Sequence, residues 1–174
     1  MDPLTVIETH PVQYHAPVYR ALQQRHGVPV RAIYASDFSV AGYDDREFGT
    51  KFAWDTDLLG GYDAVFLSRV ATGGSRSVEE VSARGLGPAI RNSAPGPILL
   101  LGYSPSFHRA ACFHAWRSGR PMLFRAETTD HAQRRRASYA LLRDGLLRRL
   151  YARCEKLLYV GRHSEAHFRR LGAT

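Results

Sequence analysis

The chain has 174 residues, 44% hydrophobic and 23% charged, which fits one globular domain and excludes a disordered or low-complexity chain. No apolar run approaches the roughly 18 residues of a membrane span, and no basic stretch leads into an apolar one as in a signal peptide. The net charge of +8 arises wholly in residues 120–174, with 13 basic and 5 acidic residues, because residues 1–119 carry 11 of each.

Short aliphatic or β-branched runs alternate with longer helical stretches. Leu4–Glu8 reads as a strand and Pro17–His26 as a helix, with proline where a missing N–H is harmless. Val28–Tyr34 is a second strand and Ala64–Ser68 a third. Residues 37–62 form a long aromatic and acidic connection that is functional or hides short elements. Ser77–Asn92 has helical character, interrupted by Gly85 and Gly87. Ile98–Gly102 is uninterrupted aliphatic, as in a strand buried on both faces. Pro105–Ser118 is a helix, Pro121–Ala126 a strand and residues 132–153 a helix in which Asp144-Gly145 is a candidate break. Leu157–Val160 closes the strands and Ser164–Leu171 the helices, with Gly172 as the stop.

This alternation predicts an α/β, Rossmann-like three-layer domain over residues 1–174, with a mostly parallel sheet flanked by helices. Ligands of such sheets bind outside the carboxyl ends of the strands. Loops 9–16, 35–60, 69–76, 103–106 and 127–131 are therefore the ones to search.

Several signatures are missing. There is no phosphate-cradling P-loop, and Gly85-Leu86-Gly87 does not directly follow a strand as a dinucleotide fingerprint must. Gly102-Tyr103-Ser104-Pro105-Ser106 has proline where a nucleophile elbow needs other geometry. His163 and His167 share a helix face without a third ligand and read as surface histidines. Asp55-Thr56-Asp57 is too short a pattern to assign a metal. Cys112 and Cys154 lack metal-ligand spacing and read as reduced, buried thiols of a cytosolic protein.

Two stretches stand out. His10, Gln13, Tyr14 and His15 cluster after the first strand, where a neutral imidazole can position or deprotonate a hydroxyl. The bland alternative is one buried, satisfied histidine and one helix cap. Arg125 and Glu127 alternate at the end of another strand and so share a sheet face. They either brace the loop as an ion pair or act as an anion clamp and a proton acceptor. In the aromatic connection, Trp54 and its neighbours suit either a sugar face or the loop's own packing.

The segments THPVQYHAPVYRAL, REFGTKFAWDTDLLGGYDAVFL, PMLFRAET and LLYVGRHSEAHFRRLGAT, in that order, resemble the N-terminal half of retaining glycosyltransferases of the GT-B class, family 4. The resemblance implies a two-domain enzyme whose N-terminal half presents the acceptor while the other half binds a nucleotide sugar. On that reading Pro11 to His15 lines the cleft near the transferred hexosyl group. His15 and Glu127 are then the candidate catalytic residues. His10, Gln13, Tyr14, Trp54, Tyr103, Ser104, Arg125 and Thr128 are the candidate substrate contacts. Many members carry histidine where this chain has Glu127, while the subgroup opening with H-P-x-Q-Y has an R-G-E-S-like segment, here Arg125-Ala126-Glu127-Thr128. The acceptor would be a glycan, a lipid-linked sugar or a small molecule, and no metal or other cofactor is expected.

The donor domain would begin after residue 174, so the resemblance implies an isolated acceptor-side half, inactive alone. The basic residues between 134 and 170 would touch anionic lipid from the cytoplasmic side, or form a solvated face. A non-catalytic nucleotide- or protein-binding module is the rival reading. Nucleic-acid binding is not expected, because neither a helix-turn-helix pattern nor stacking aromatics is present.

Overall fold

The computed structural model describes residues 1–41, 43–45, 50–52, 56–127 and 137–172. Its elements in chain order are β1 (Leu4–Glu8), α1 (Ala16–His26), β2 (Val30–Ser36), α2 (Phe38–Ala41), β3 (Tyr43–Asp45), β4 (Thr50–Phe52) and β5 (Asp63–Ser68). After a 3-10 turn at Val70–Thr72 come α3 (Leu86–Arg91), β6 (Ile98–Leu100), α4 (Ser106–Arg117), β7 (Met122–Ala126), α5 (Ala137–Tyr151), β8 (Lys156–Tyr159) and α6 (Arg162–Arg170).

Six strands form one parallel sheet in the order β5-β2-β1-β6-β7-β8. Counting only these strands along the chain, the order is 3-2-1-4-5-6, that of a doubly wound Rossmann-like domain. The order reverses between β1 and β6. A crevice therefore opens beyond their carboxyl ends, because the following connections leave in opposite directions.

Alternation along the strands divides the core into two layers. Leu4 and Val6 of β1 and Val30, Ala32 and Tyr34 of β2 pack with Ala16 and Tyr19 of α1. Ile7, Ile33, Leu100 and Phe124 pack instead with residues of α3, α4, α5 and α6, including Ile90, Phe107, Tyr151 and Phe168. Glu8 continues the row of Leu4 and Val6, so period two sends a carboxylate to the α1 side.

Three local expectations need correction. Residues 77–85 are not helical: Gly85 has φ +83° and caps the start of α3, and that left-handed conformation cannot sit inside an α-helix. Helix α5 runs unbroken through Gly145; the flanking Arg143 and Asp144 are tied to Tyr103 and Arg170, and Leu147 and Tyr151 are buried. Packing there outweighs a mid-helix glycine penalty of about 1 kcal/mol. Third, His167 is fully buried and bonded to the Tyr151 hydroxyl at 3.2 Å, so only His163 of that pair is exposed.

The long connection contains α2 and the antiparallel hairpin β3–β4. Its return is pinned by buried Leu58 and Tyr62, the latter bonded to the Tyr34 hydroxyl at 2.8 Å. Asp57 binds the Leu59 and Gly60 amides through one carboxylate oxygen, a turn-forming role. Asp55 and Trp54 lie outside the described residues. Cys112 and Cys154 are free, half-buried thiols, and burial pushes them up to about 12 and about 11. No helix among the described residues is long and apolar enough to cross a membrane.

Candidate functional site

The turn after β1 is built by backbone bonds that also decide what it can bind. The His15 and Ala16 amides both donate to the Val12 carbonyl, at 3.0 and 3.1 Å. Pro17 has no amide hydrogen. The Val18 and Tyr19 amides donate to the His15 carbonyl at 2.9 and 3.1 Å. Every amide that opens α1 is thus committed or missing, whereas a pyrophosphate-binding turn needs these groups free. Ligand contacts at this turn fall to side chains.

His15 is the centre of those contacts. It occupies the N-cap position of α1, yet its ring makes no cap bond. Nδ1 pairs with Glu8 Oε1, and Nε2 lies 2.8 Å from Arg125 Nη1. A guanidinium has only donors, so Nε2 must accept. The one proton of the neutral ring then sits on Nδ1 and is donated to Glu8. Arg125 in turn reaches Glu127 Oε1 at 3.7 Å, through Nη2. The chain Glu8–His15–Arg125–Glu127 runs from buried core to open surface, with the Glu8 side chain 4% exposed and that of Glu127 64%.

Burial pushes the Glu8 carboxyl above its ordinary range, while its interaction with His15, a hydrogen bond from Tyr19 and the Arg125 charge oppose it. Glu8 Oε2 and the Tyr19 hydroxyl are buried, and neither has a hydrogen-bond partner of normal geometry. The two groups are nonetheless close enough to act on each other: burial first and Glu8 second push the Tyr19 phenol well up. The carboxylate is therefore held by His15, with the Tyr19 phenol as its buried neighbour.

A cavity of about 380 Å³ opens over this chain, lined by Tyr14, His15, Arg125 and Glu127 together with the segments Leu101–Ser104 and Ala126. Tyr14 stands 59% exposed at its mouth, edge-on to the His15 ring. The Tyr103 hydroxyl accepts from Arg143 at 2.8 and 3.1 Å, which leaves its own proton to donate. A larger hollow of about 600 Å³ lies along β8 between α5 and α6. It is remote from the strand reversal and holds none of these convergent groups, so chemistry favours the smaller one.

Of the residues singled out in the sequence, Tyr14, His15, Tyr103, Ser104, Arg125 and Glu127 therefore share one concavity. His10 packs away from that lining: its Nδ1 pairs with the Thr9 hydroxyl at 2.9 Å and its ring stacks on Phe38. Burial, followed by the charges of His108 and His15, pulls it down to about 4. Gln13 is exposed and does not line the cavity. Thr128 and Trp54 lie outside the described residues. The missed residue is Glu8, which in sequence is simply the end of a strand. Its signal was an acid closing an otherwise apolar run immediately before the histidine-rich turn.

Among the described residues no group of three His, Cys, Asp or Glu side chains is placed to hold a metal ion. Comparison with protein-family models, curated proteins and solved structures gives no match to this chain.

Proposed function

We propose that this domain is the acceptor-binding side of a retaining, nucleotide-sugar-dependent glycosyltransferase of the GT-B class. The carrying observation is the convergence of His15, Arg125 and Glu127 with Tyr14, Tyr103 and Ser104 in one hollow at the strand reversal. These groups suit a polyhydroxylated ligand: aromatic rings cover C–H faces, and carboxylate, imidazole and hydroxyl groups meet hydroxyls. Glu127 and His15 are the proton-handling groups of this reading, Arg125, Tyr103 and Ser104 its acceptor contacts. A second domain supplies the nucleotide sugar, so the 174-residue chain alone is expected to transfer nothing. Bringing acceptor and donor together across a cleft is worth up to roughly 7–11 kcal/mol of barrier, which a lone half forfeits.

The acceptor's surroundings follow from the C-terminal charge. On α5, Leu141, Leu142 and Leu146 are exposed beside exposed Arg148 and Arg149. Apolar side chains flanked by arginines suit a peripheral contact with an anionic bilayer, and we propose that lipid-linked acceptors are met there.

The rival reading is a nucleotide-binding module, to which the strand order lends weight and the committed amides of α1 do not. Amide NMR of the chain, titrated separately with soluble saccharides and with AMP, separates the two. Saccharide-induced shifts confined to residues 12–15, 101–104 and 125–127 support the acceptor reading. Shifts of the same residues by AMP, with none by any saccharide, overturn it.

A further inference from the structure

His15 is oriented as a base would be, yet it is not available as one. Its Nε2 lone pair is the acceptor of the Arg125 Nη1 hydrogen bond, at 2.8 Å. The same guanidinium divides itself: its other terminal nitrogen reaches outward to Glu127, at a looser 3.7 Å. Among the described residues, this arginine in the cavity wall has one bond to a neutral nitrogen and one slack contact to a carboxylate, and such a pair holds it weakly. Hydrogen bonds to ionised oxygen acceptors are roughly twice as strong as those to neutral ones, and a fork of two is stronger again.

We infer that Arg125 is a removable cap on His15, and that an anionic oxygen group bound in the hollow lined by Tyr14, Tyr103 and Ser104 draws it off and exposes Nε2. The ligand class is thus a hydroxyl-bearing molecule with a phosphate or carboxylate group. Once uncapped, Nε2 accepts a hydrogen bond from the ligand hydroxyl and then its proton. The O–H bond breaks, an N–H bond forms, and the electron pair stays on the ligand oxygen as a nucleophile. The imidazolium so formed keeps its Nδ1–H on Glu8 Oε1, and Arg125 balances the anion. Glu8 is a positioning residue here, because it bonds the ring from outside the cavity lining and fixes which nitrogen faces the cavity.

The inference concerns the site described above but does not depend on the acceptor being a sugar, so it stands or falls separately from the glycosyltransferase reading. Its test is modification of the full chain by diethyl pyrocarbonate, which attacks free imidazole nitrogen, followed by peptide mass mapping. His26, exposed at the end of α1, is the internal reference. Inorganic phosphate should accelerate modification of His15 relative to His26 by about tenfold over chloride of equal ionic strength, as release of one ordinary hydrogen bond implies. Acetate in a parallel arm tells a carboxylate ligand from a phosphate one. Arg125→Met and Arg125→Ala, which carry no donor, should react fast without any anion and gain nothing from phosphate or acetate. An unchanged His15 rate with both anions, or an acceleration of equal size in both variants, overturns the proposal.

Discussion

Two arginines at opposite ends of β7 show how differently one side chain can be used. Arg120, just before the strand, sits at the amino rim of the sheet. Its guanidinium donates to the Gly96 carbonyl at 2.6 Å, the Ser93 hydroxyl at 2.7 Å, the Thr5 hydroxyl at 2.8 Å and the Ile90 carbonyl at 3.3 Å. Thr5 and Ser93 are themselves bonded at 3.2 Å. Arg125, within the strand at the carboxyl rim, has among the described residues one bond to an imidazole and one slack contact to an exposed carboxylate. The first is a satisfied brace. The second has fewer partners among the described residues and faces a hollow. Spare hydrogen-bonding capacity, more than charge, marks the functional rim.

The largest effect that separates the rims is acid. Burial holds both His10 and His108, at the carboxyl rim, down to about 4. The unfolded chain protonates them near their ordinary 6.5, so stability is complete above that pH and falls as pH drops through the window to about 4. Each shift is worth at most about 3 kcal/mol. Urea unfolding across this window should show the loss, and a His10→Gln/His108→Gln double variant should flatten the profile.

Next in size is the brace itself. Arg120→Ala strips partners from two carbonyls and two hydroxyls and should cost about 3 kcal/mol in urea unfolding, whereas Arg125→Ala should cost under about 1 kcal/mol. Equal losses would erase the contrast between the rims. A smaller effect, with a fixed sign, is expected at Glu8. Its carboxyl is held above the ordinary 4.5, so the fold binds that proton more tightly than the unfolded chain does. The stabilising contribution is present at low pH and lost as pH rises through the raised value. Glu8→Gln should therefore gain stability relative to the parent as pH is raised from 4 towards neutrality, as read by thermal melts across that range. The smallest effect concerns α5: neutralising Arg149 to Gln should weaken sedimentation with anionic liposomes by about 1 kcal/mol without lowering the melting temperature.

The sheet was legible in the sequence because its strands are short aliphatic runs, Ile98–Leu100 most plainly, separated by stretches long enough for crossovers. The alternation of Arg125 and Glu127 also announced their shared face. Glu8 was not legible, because its meaning depends on His15 and, through it, on Arg125 of β7, far along the chain and separated from β1 in the sheet by β6. His167 misled for a different reason. Its spacing from His163 drew attention, while the row that sets the buried face of α6 is Ser164, His167, Phe168 and Leu171. That row, with spacings of three and four, was present in the sequence. Gly85 shows a third limit: a glycine inside a helical pattern does not declare whether its φ is positive.

The linkage of Glu8, His15 and Arg125 is the claim on which the site depends, and the ring nitrogens of His15 report it directly. Nitrogen NMR of the ligand-free chain near neutral pH should find a neutral ring protonated at Nδ1, with Nε2 unprotonated and hydrogen-bonded. The hydrogen bond at Nε2 should be lost in Arg125→Met, which has no donor. A proton resident on Nε2 in the parent chain would contradict the account, since a guanidinium could not then be its partner.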